Sequence, residues 1–157
     1  MKLWRIAAET RSYAATDLSG RGAARYPGRW NDTGLPVVYS ASTLSLAVLE
    51  TAAHVDDAGL PLNRFVVQID VPDKVWGQRQ SLEVATLPLT WSAIPAGSAS
   101  IKIGSDWLKS QTSAILLVPS VIVPEEYAAL INPLHPAAAE IKASVTRAFD
   151  YKRLFRN

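Results

Sequence analysis

The chain of 157 residues has no cysteine, a single methionine and two histidines. Without cysteine there is no disulfide, no thiolate nucleophile and no thiolate metal ligand, and two histidines argue against a zinc site, so no metal is expected. No apolar run approaches the roughly 20 residues that a bilayer span needs. The opening Met1-Lys2-Leu3-Trp4-Arg5 lacks the apolar core of a signal peptide, which points to the cytoplasm. Phosphate loops of the Walker type, the Gly-x-Gly-x-x-Gly turn and the Gly-x-Ser-x-Gly elbow are all missing, which disfavours the common nucleotide-loop and triad-hydrolase classes. Charge of one sign is scarce too: the formal net charge is +2, too small to argue for nucleic acid.

What charge there is sits at the ends. Residues 1–30 carry six basic groups against Glu9 and Asp17, and residues 140–157 carry five against Glu140 and Asp150, so the middle is net acidic. Two basic ends can converge on one anionic ligand or on a phosphate backbone, or simply be solvated. The 48% hydrophobic content suits one compact domain spanning 1–157, with no repeat and no linker to divide it.

The elements read as follows. A buried strand is expected from Lys2 to Ala8, then a long Arg- and Gly-rich loop over 9–27. Residues 36–41 form a short strand, and Ser42 or Thr43 caps a helix running to about His54, ended by Asp56-Asp57-Ala58-Gly59 and Pro61. Arg64 to Val71 is the clearest strand. Short pieces broken by Pro88, Pro95 and Gly97 occupy 81–99. A helix over 104–111, a strand over 114–118 and a second run to Val123 come next. Leu130 to Pro136 reads as strand then turn, and 141–151 as a final strand. Strands joined by irregular loops predict an α+β fold rather than βαβ alternation.

The stretch from Gly28 to Glu50 concentrates the chemistry. Glu50 has Leu46, Ala47, Ala53 and His54 as its helical neighbours, so its carboxylate lies beside apolar positions, where a charge is costly unless paired or used. The bland alternative is a solvated glutamate at the helix margin. Arg29 follows Gly28 and can grip a phosphate or carboxylate in two-pronged fashion, or pair with a surface acid. Tyr39 offers a stacking ring, or a core aromatic with its hydroxyl at the edge. Ser120 follows a buried strand, where a turn explains it equally well, and Asn132 suits an Asx turn before Pro133. A non-enzymatic basic module that binds nucleic acid through the two ends is the alternative from another class, and it leaves Glu50 unexplained.

These pieces together resemble the RES domain. The matching segments are Trp4-Arg5-Ile6, Gly28-Arg29-Trp30-Asn31, Tyr39-Ser40-Ala41, Ser45-Leu46-Ala47-Val48-Leu49-Glu50, Val118-Pro119-Ser120-Val121-Ile122-Val123-Pro124-Glu125, Asn132-Pro133-Leu134-His135-Pro136 and Phe149-Asp150-Tyr151-Lys152-Arg153-Leu154. Tyr127-Ala128-Ala129 departs from the asparagine- or arginine-bearing stretch common at that place. The resemblance implies a fold similar to ADP-ribosyltransferase toxins, with mixed and antiparallel sheets and a few helices. It implies the toxin of a toxin–antitoxin pair, a homodimer neutralised by an Xre-like antitoxin, acting on NAD+ by hydrolysis or phosphorolysis, or by ADP-ribosylation of a protein. It further implies that Arg29, Tyr39, Glu50 and Ser120 line the NAD+ site, with Arg5, Asn31 and Asn132 as weaker additions. No direct contact with nucleic acid or membrane is expected.

Overall fold

The structure, a computed structural model, describes residues 1–56 and 59–155. Within them a seven-stranded sheet runs in the order β4-β5-β6-β2-β1-β3-β7. Its strands are β1 (Lys2–Ala8), β2 (Val38–Ala41), β3 (Arg64–Asp70), β4 (Gln80–Ser81), β5 (Ile115–Pro119), β6 (Tyr127–Ile131) and β7 (Lys142–Phe149). All neighbours are antiparallel except β4 and β5. Four helices pack around it: α1 (Arg21–Arg25), α2 (Leu44–Ala52), α3 (Asp73–Gly77) and α4 (Ser98–Ser110). This is the expected α+β arrangement. Among the described residues no helix is long and apolar enough to cross a membrane.

Strand alternation sorts the core into two sides. Leu3, Val38, Val67, Ile69, Ile115 and Ile131 face one side in a single cluster. Tyr39, Leu116, Val118 and Leu130 face the other, where they meet Trp30, Trp91, Trp107 and Leu108. The pairings Tyr39 with Leu130 and Leu116 with Leu130 keep these residues in one row. The helix α2 lies on the same side farther along, over Trp4, Ile6 and Val66. Its start follows the expected cap, with Thr43 Oγ1 accepting from the Leu46 N–H at 3.1 Å, and it buries Leu46 and Ala47 against Ala41.

Several expected boundaries move. The loop over 9–27 contains α1, and the helix expected at 104 begins at Ser98, behind Gly97. Residues 121–123 do not form a strand. Ser120 Oγ accepts from the N–H groups of Ile122 and Val123, both at 3.1 Å, which takes those donors out of any ladder. The sixth strand starts early, at Tyr127, because its ladder with β2 and β5 overrides the weak strand preference of Ala128 and Ala129. The last strand stops at Phe149, where Asp150 Oδ1 accepts from the Lys152 N–H at 3.0 Å and turns the chain. In the helix-ending run Asp56-Asp57-Ala58-Gly59, residues 57 and 58 lie outside the described residues.

Candidate active site

Four side chains from four segments meet on the α2 side of the sheet. The second strand delivers Tyr39, and the turn at Ser42–Thr43 leads straight into α2, which delivers Glu50. That turn is clamped from β6, since Ser42 Oγ donates to the Tyr127 carbonyl at 3.0 Å. Ser120 follows the end of β5. The loop at 28–31 brings Arg29.

Ser120 Oγ donates to Glu50 Oε1 at 2.5 Å. The serine is 1% exposed and accepts from two backbone N–H groups, so its hydroxyl is fully committed. In this arrangement it fixes one oxygen of Glu50. The carboxylate is itself half-buried. Its second oxygen accepts no protein hydrogen bond among the described residues.

Arg29 is anchored rather than free. Its Nη1 donates to the carbonyls of Trp91 at 3.0 Å and Ala93 at 2.7 Å. Partial burial lowers its pKa from the ordinary value, and electrostatic attraction to the Glu50 carboxylate, then to the Tyr39 hydroxyl, opposes that shift. A guanidinium remains charged under such a perturbation, and its remaining N–H donors are available to an anion. The ring of Trp91 stacks on Trp30 with centroids 6.2 Å apart, tying the 91–93 segment to the arginine's own loop.

Tyr39 and Asn31 hold that loop in place. The tyrosine hydroxyl donates to Asn31 Oδ1 at 2.7 Å and accepts from the Trp30 N–H at 3.0 Å. Burial raises its pKa to about 12, against the lowering effects of the Trp30 N–H and the Arg29 charge, so the phenol is neutral at physiological pH. Gly28 lies against the ring: a Cβ there would sit 2.8 Å from Tyr39 Cζ. The glycine thus serves a close approach to tyrosine, a use not foreseen from sequence.

Of the weaker candidates, Asn31 joins this group through Tyr39, and Arg5 and Asn132 lie apart from it. Asn31 is fully buried; besides Tyr39 it receives the Gly28 N–H at 2.9 Å and donates to the carbonyls of Ala23, Asp32 and Leu35. It shapes the site from beneath. Asn132, 1% exposed, donates to the Leu108 carbonyl at 2.9 Å and accepts from the Leu134 N–H, joining α4 to the end of β6. Arg5 alternates with Trp4 and Ile6, which meet α2, and so projects from the opposite side of the sheet. There it donates to the Asp17 carbonyl at 3.2 Å, and burial lowers its pKa against the opposing charge of Asp17 and then Tyr13. The structure does not bring Arg5 or Asn132 to Glu50.

Sequence reasoning missed the carbonyls of Trp91 and Ala93, which no side-chain pattern announces. Among the described residues no group of three or more His, Cys, Asp or Glu is placed to hold a metal. The arrangement offers a carboxylate fixed at one oxygen, a neutral aromatic and a cation: the equipment for an anionic ligand in which positive charge develops on carbon.

Comparison with known proteins gives a family. The RES domain model matches residues 2–153. A Sphingobium protein named Prs ADP-ribosylating toxin is 53% identical over 94% of this chain and 92% of its own length. Proteins named Toxin Res from Yersinia enterocolitica and Pseudomonas putida are 38% and 36% identical, over 92% and 99% of this chain and 92% and 100% of theirs. The solved M. tuberculosis MbcT–MbcA toxin–antitoxin complex contains a chain of the same fold, with a TM-score of 0.68 and 17% identity over 93% of this chain and 84% of that one. On the family match and these identities, this chain belongs to the RES domain family.

Proposed function

We propose that the protein is the toxin of a toxin–antitoxin pair and that it consumes NAD+ by breaking the nicotinamide–ribose bond. The single observation that carries this reading is the bond from Ser120 to Glu50, made across 70 residues of sequence, beside an arginine whose charge faces the same carboxylate. In the reaction the C1′–N bond breaks and its electron pair returns to the nicotinamide nitrogen, which leaves neutral. The ribose carbon gains oxocarbenium character, as in glycoside cleavage. Glu50, held through Oε1, directs its second oxygen to that charge and to a ribose hydroxyl. Arg29 binds the pyrophosphate with the donors not used on Trp91 and Ala93, and Tyr39 packs its ring on the nicotinamide or its ribose. A nucleophile then bonds to C1′ and loses its proton. Nicotinamide needs no strong acid to depart, so no second carboxylate is required.

The acceptor is water or inorganic phosphate in the leading reading. The second reading, transfer of ADP-ribose to a protein side chain, is favoured by the name of the Sphingobium relative. The reading includes action in the cytoplasm, where NAD+ is supplied, a homodimeric toxin, and neutralisation by an Xre-like antitoxin.

Purified protein is incubated with NAD+, with and without phosphate, and nicotinamide release is followed. ADP-ribose alone means hydrolysis, and ADP-ribose 1″-phosphate that appears only with phosphate means phosphorolysis. Intact NAD+ in both tubes, with labelled protein in cell extract, means transfer. Glu50→Gln should abolish every one of these and the growth arrest while leaving the fold intact; toxicity that survives in this variant sinks the proposal.

A further inference from the structure

Tyr26 is a large aromatic that the core does not use. It is 72% exposed and lies outside the apolar clusters of the fold. Its backbone is nevertheless held at both ends. The N–H donates to the Gly22 carbonyl at 2.9 Å, closing α1, and Pro27 after it keeps the residue out of the helical region. Arg25 covers one face of the ring, its guanidinium carbon 5.3 Å from the centroid. That cation is exposed and makes no ion pair among the described residues. At this exposure the other face of the ring is open to a ligand.

The ring also stands at a set distance from Arg29. Asn31 Nδ2 donates to the Ala23 carbonyl and the Gly34 N–H to the Ala24 carbonyl, so α1 and the loop of Arg29 form one piece. Three peptide steps separate Tyr26 from Arg29, at most about 11 Å between their Cα atoms. A ribose and a purine cover that span. Burial gives the direction: Trp30 is buried, Arg29 half-buried, and Pro27, Tyr26 and Arg25 are exposed. With the nicotinamide ribose taken on the Glu50 side of Arg29, the other half of a dinucleotide leaves the arginine outward, toward Tyr26.

We propose that Tyr26 binds the adenine of the dinucleotide, its open face stacked on the base while Arg25 backs the ring. The identity of the ligand rests on the NAD+ reading above. An aromatic ring on a backbone already fixed offers a base a flat face at little ordering cost.

The test measures binding by calorimetry and needs no turnover. ADP carries the adenosine and a pyrophosphate without the nicotinamide ribose, and inorganic pyrophosphate carries the anion alone. The unsubstituted full chain should bind ADP roughly tenfold or more tighter than pyrophosphate. Tyr26→Ala should weaken ADP roughly tenfold, the loss of one stacked base, and leave pyrophosphate within twofold. Tyr26→Phe should keep ADP within twofold. Both variants should melt as the unsubstituted chain does, because the position is exposed. The proposal is overturned by ADP bound no tighter than pyrophosphate, by unchanged ADP affinity in Tyr26→Ala, by equal loss of both ligands, or by a Tyr26→Phe that loses as much as the alanine variant. An oligoadenylate bound more tightly than ADP would give the ring to a nucleic acid and overturns it too. Nicotinamide release separates this assignment from the functional reading. A chain with the expected ADP pattern that leaves NAD+ intact and modifies no protein marks failure of the functional reading alone, and a chain that consumes NAD+ without that pattern marks failure of the adenine assignment alone.

Discussion

Ser120 donates its hydroxyl proton to Glu50 Oε1 at 2.5 Å while its oxygen accepts from the N–H groups of Ile122 and Val123, so the turn after β5 and the helix α2 agree on where one carboxylate oxygen stands. A helix alone would leave Glu50 several rotamers. The serine removes that freedom before any ligand arrives, and such preorganisation is where electrostatic stabilisation of a transition state gains its strength.

Replacing Ser120 by alanine should therefore act mainly on turnover. A hydrogen bond to a charged group contributes about 1.5–3 kcal/mol. With about 1.4 kcal/mol per decade of rate, kcat for nicotinamide release should fall roughly 10- to 100-fold. The KM for NAD+ should change little if the buried serine acts through Glu50 alone. Steady-state kinetics well below the melting temperature separate this from instability. A large rise in KM at unchanged kcat would return Ser120 to the role of a ligand contact.

Arg29→Lys tests the anchored guanidinium. An ammonium is one point of charge on a flexible stem and cannot hold the carbonyls of Trp91 and Ala93 while presenting a fork to a pyrophosphate. The KM for NAD+ should rise roughly tenfold or more, given the strength of charge-assisted bidentate bonds. Kinetics with unchanged KM would mean that the arginine serves only the 91–93 segment.

How much of this was legible beforehand depended on how far along the chain the cause lay. The third strand could be read from its run of Phe65, Val66, Val67 and Ile69, and the cap of α2 from Thr43, because both signals are local. The juxtaposition of Arg29, Tyr39 and Glu50 was legible as proximity, since a strand followed directly by a helix carries both Tyr39 and Glu50. The bond from Ser120 to Glu50 was not, because no spacing rule relates residues 70 apart. Nor was the burial of Asn31 and Asn132: a buried amide and a ligand-binding amide look the same in sequence. Arg5 was misplaced for a different reason, since the side of the sheet it occupies is set by β1 lying between β2 and β3.

Tyr39 should reveal itself at high pH. Its folded pKa of about 12 lies above the ordinary 10.0, so the folded state holds its proton where the unfolded state has lost it. Stability from this group is full below the unfolded value, declines as pH rises past it and is lost through the folded value. Tyr39→Phe removes the titration together with the bonds to Asn31 and Trp30. The variant should melt lower than the unsubstituted protein at pH 8, and the gap should narrow toward pH 11.5. A gap that widens with pH would contradict a buried neutral phenol.

The two faces of glycine use give the last prediction. Gly104 lies where α4 crosses the arginine's loop, and a Cβ there would run into the backbone carbonyl of Trp30. Backbone cannot rotate away as a side chain can, so either α4 or the loop of Arg29 must shift. Gly22, in α1, has nothing within 4 Å of its would-be Cβ. On helix preference alone both alanines should stabilise, by up to about 1 kcal/mol. Gly22→Ala should show that modest gain or no change, whereas Gly104→Ala should cost about 3 kcal/mol or more through overpacking. Urea unfolding midpoints read both. Activity adds the second half of the argument: displacement of the loop moves Arg29 from Glu50, so Gly104→Ala should lose NAD+ turnover even where it stays folded. An active, equally stable Gly104→Ala would mean that the helix and the loop are not in contact as described.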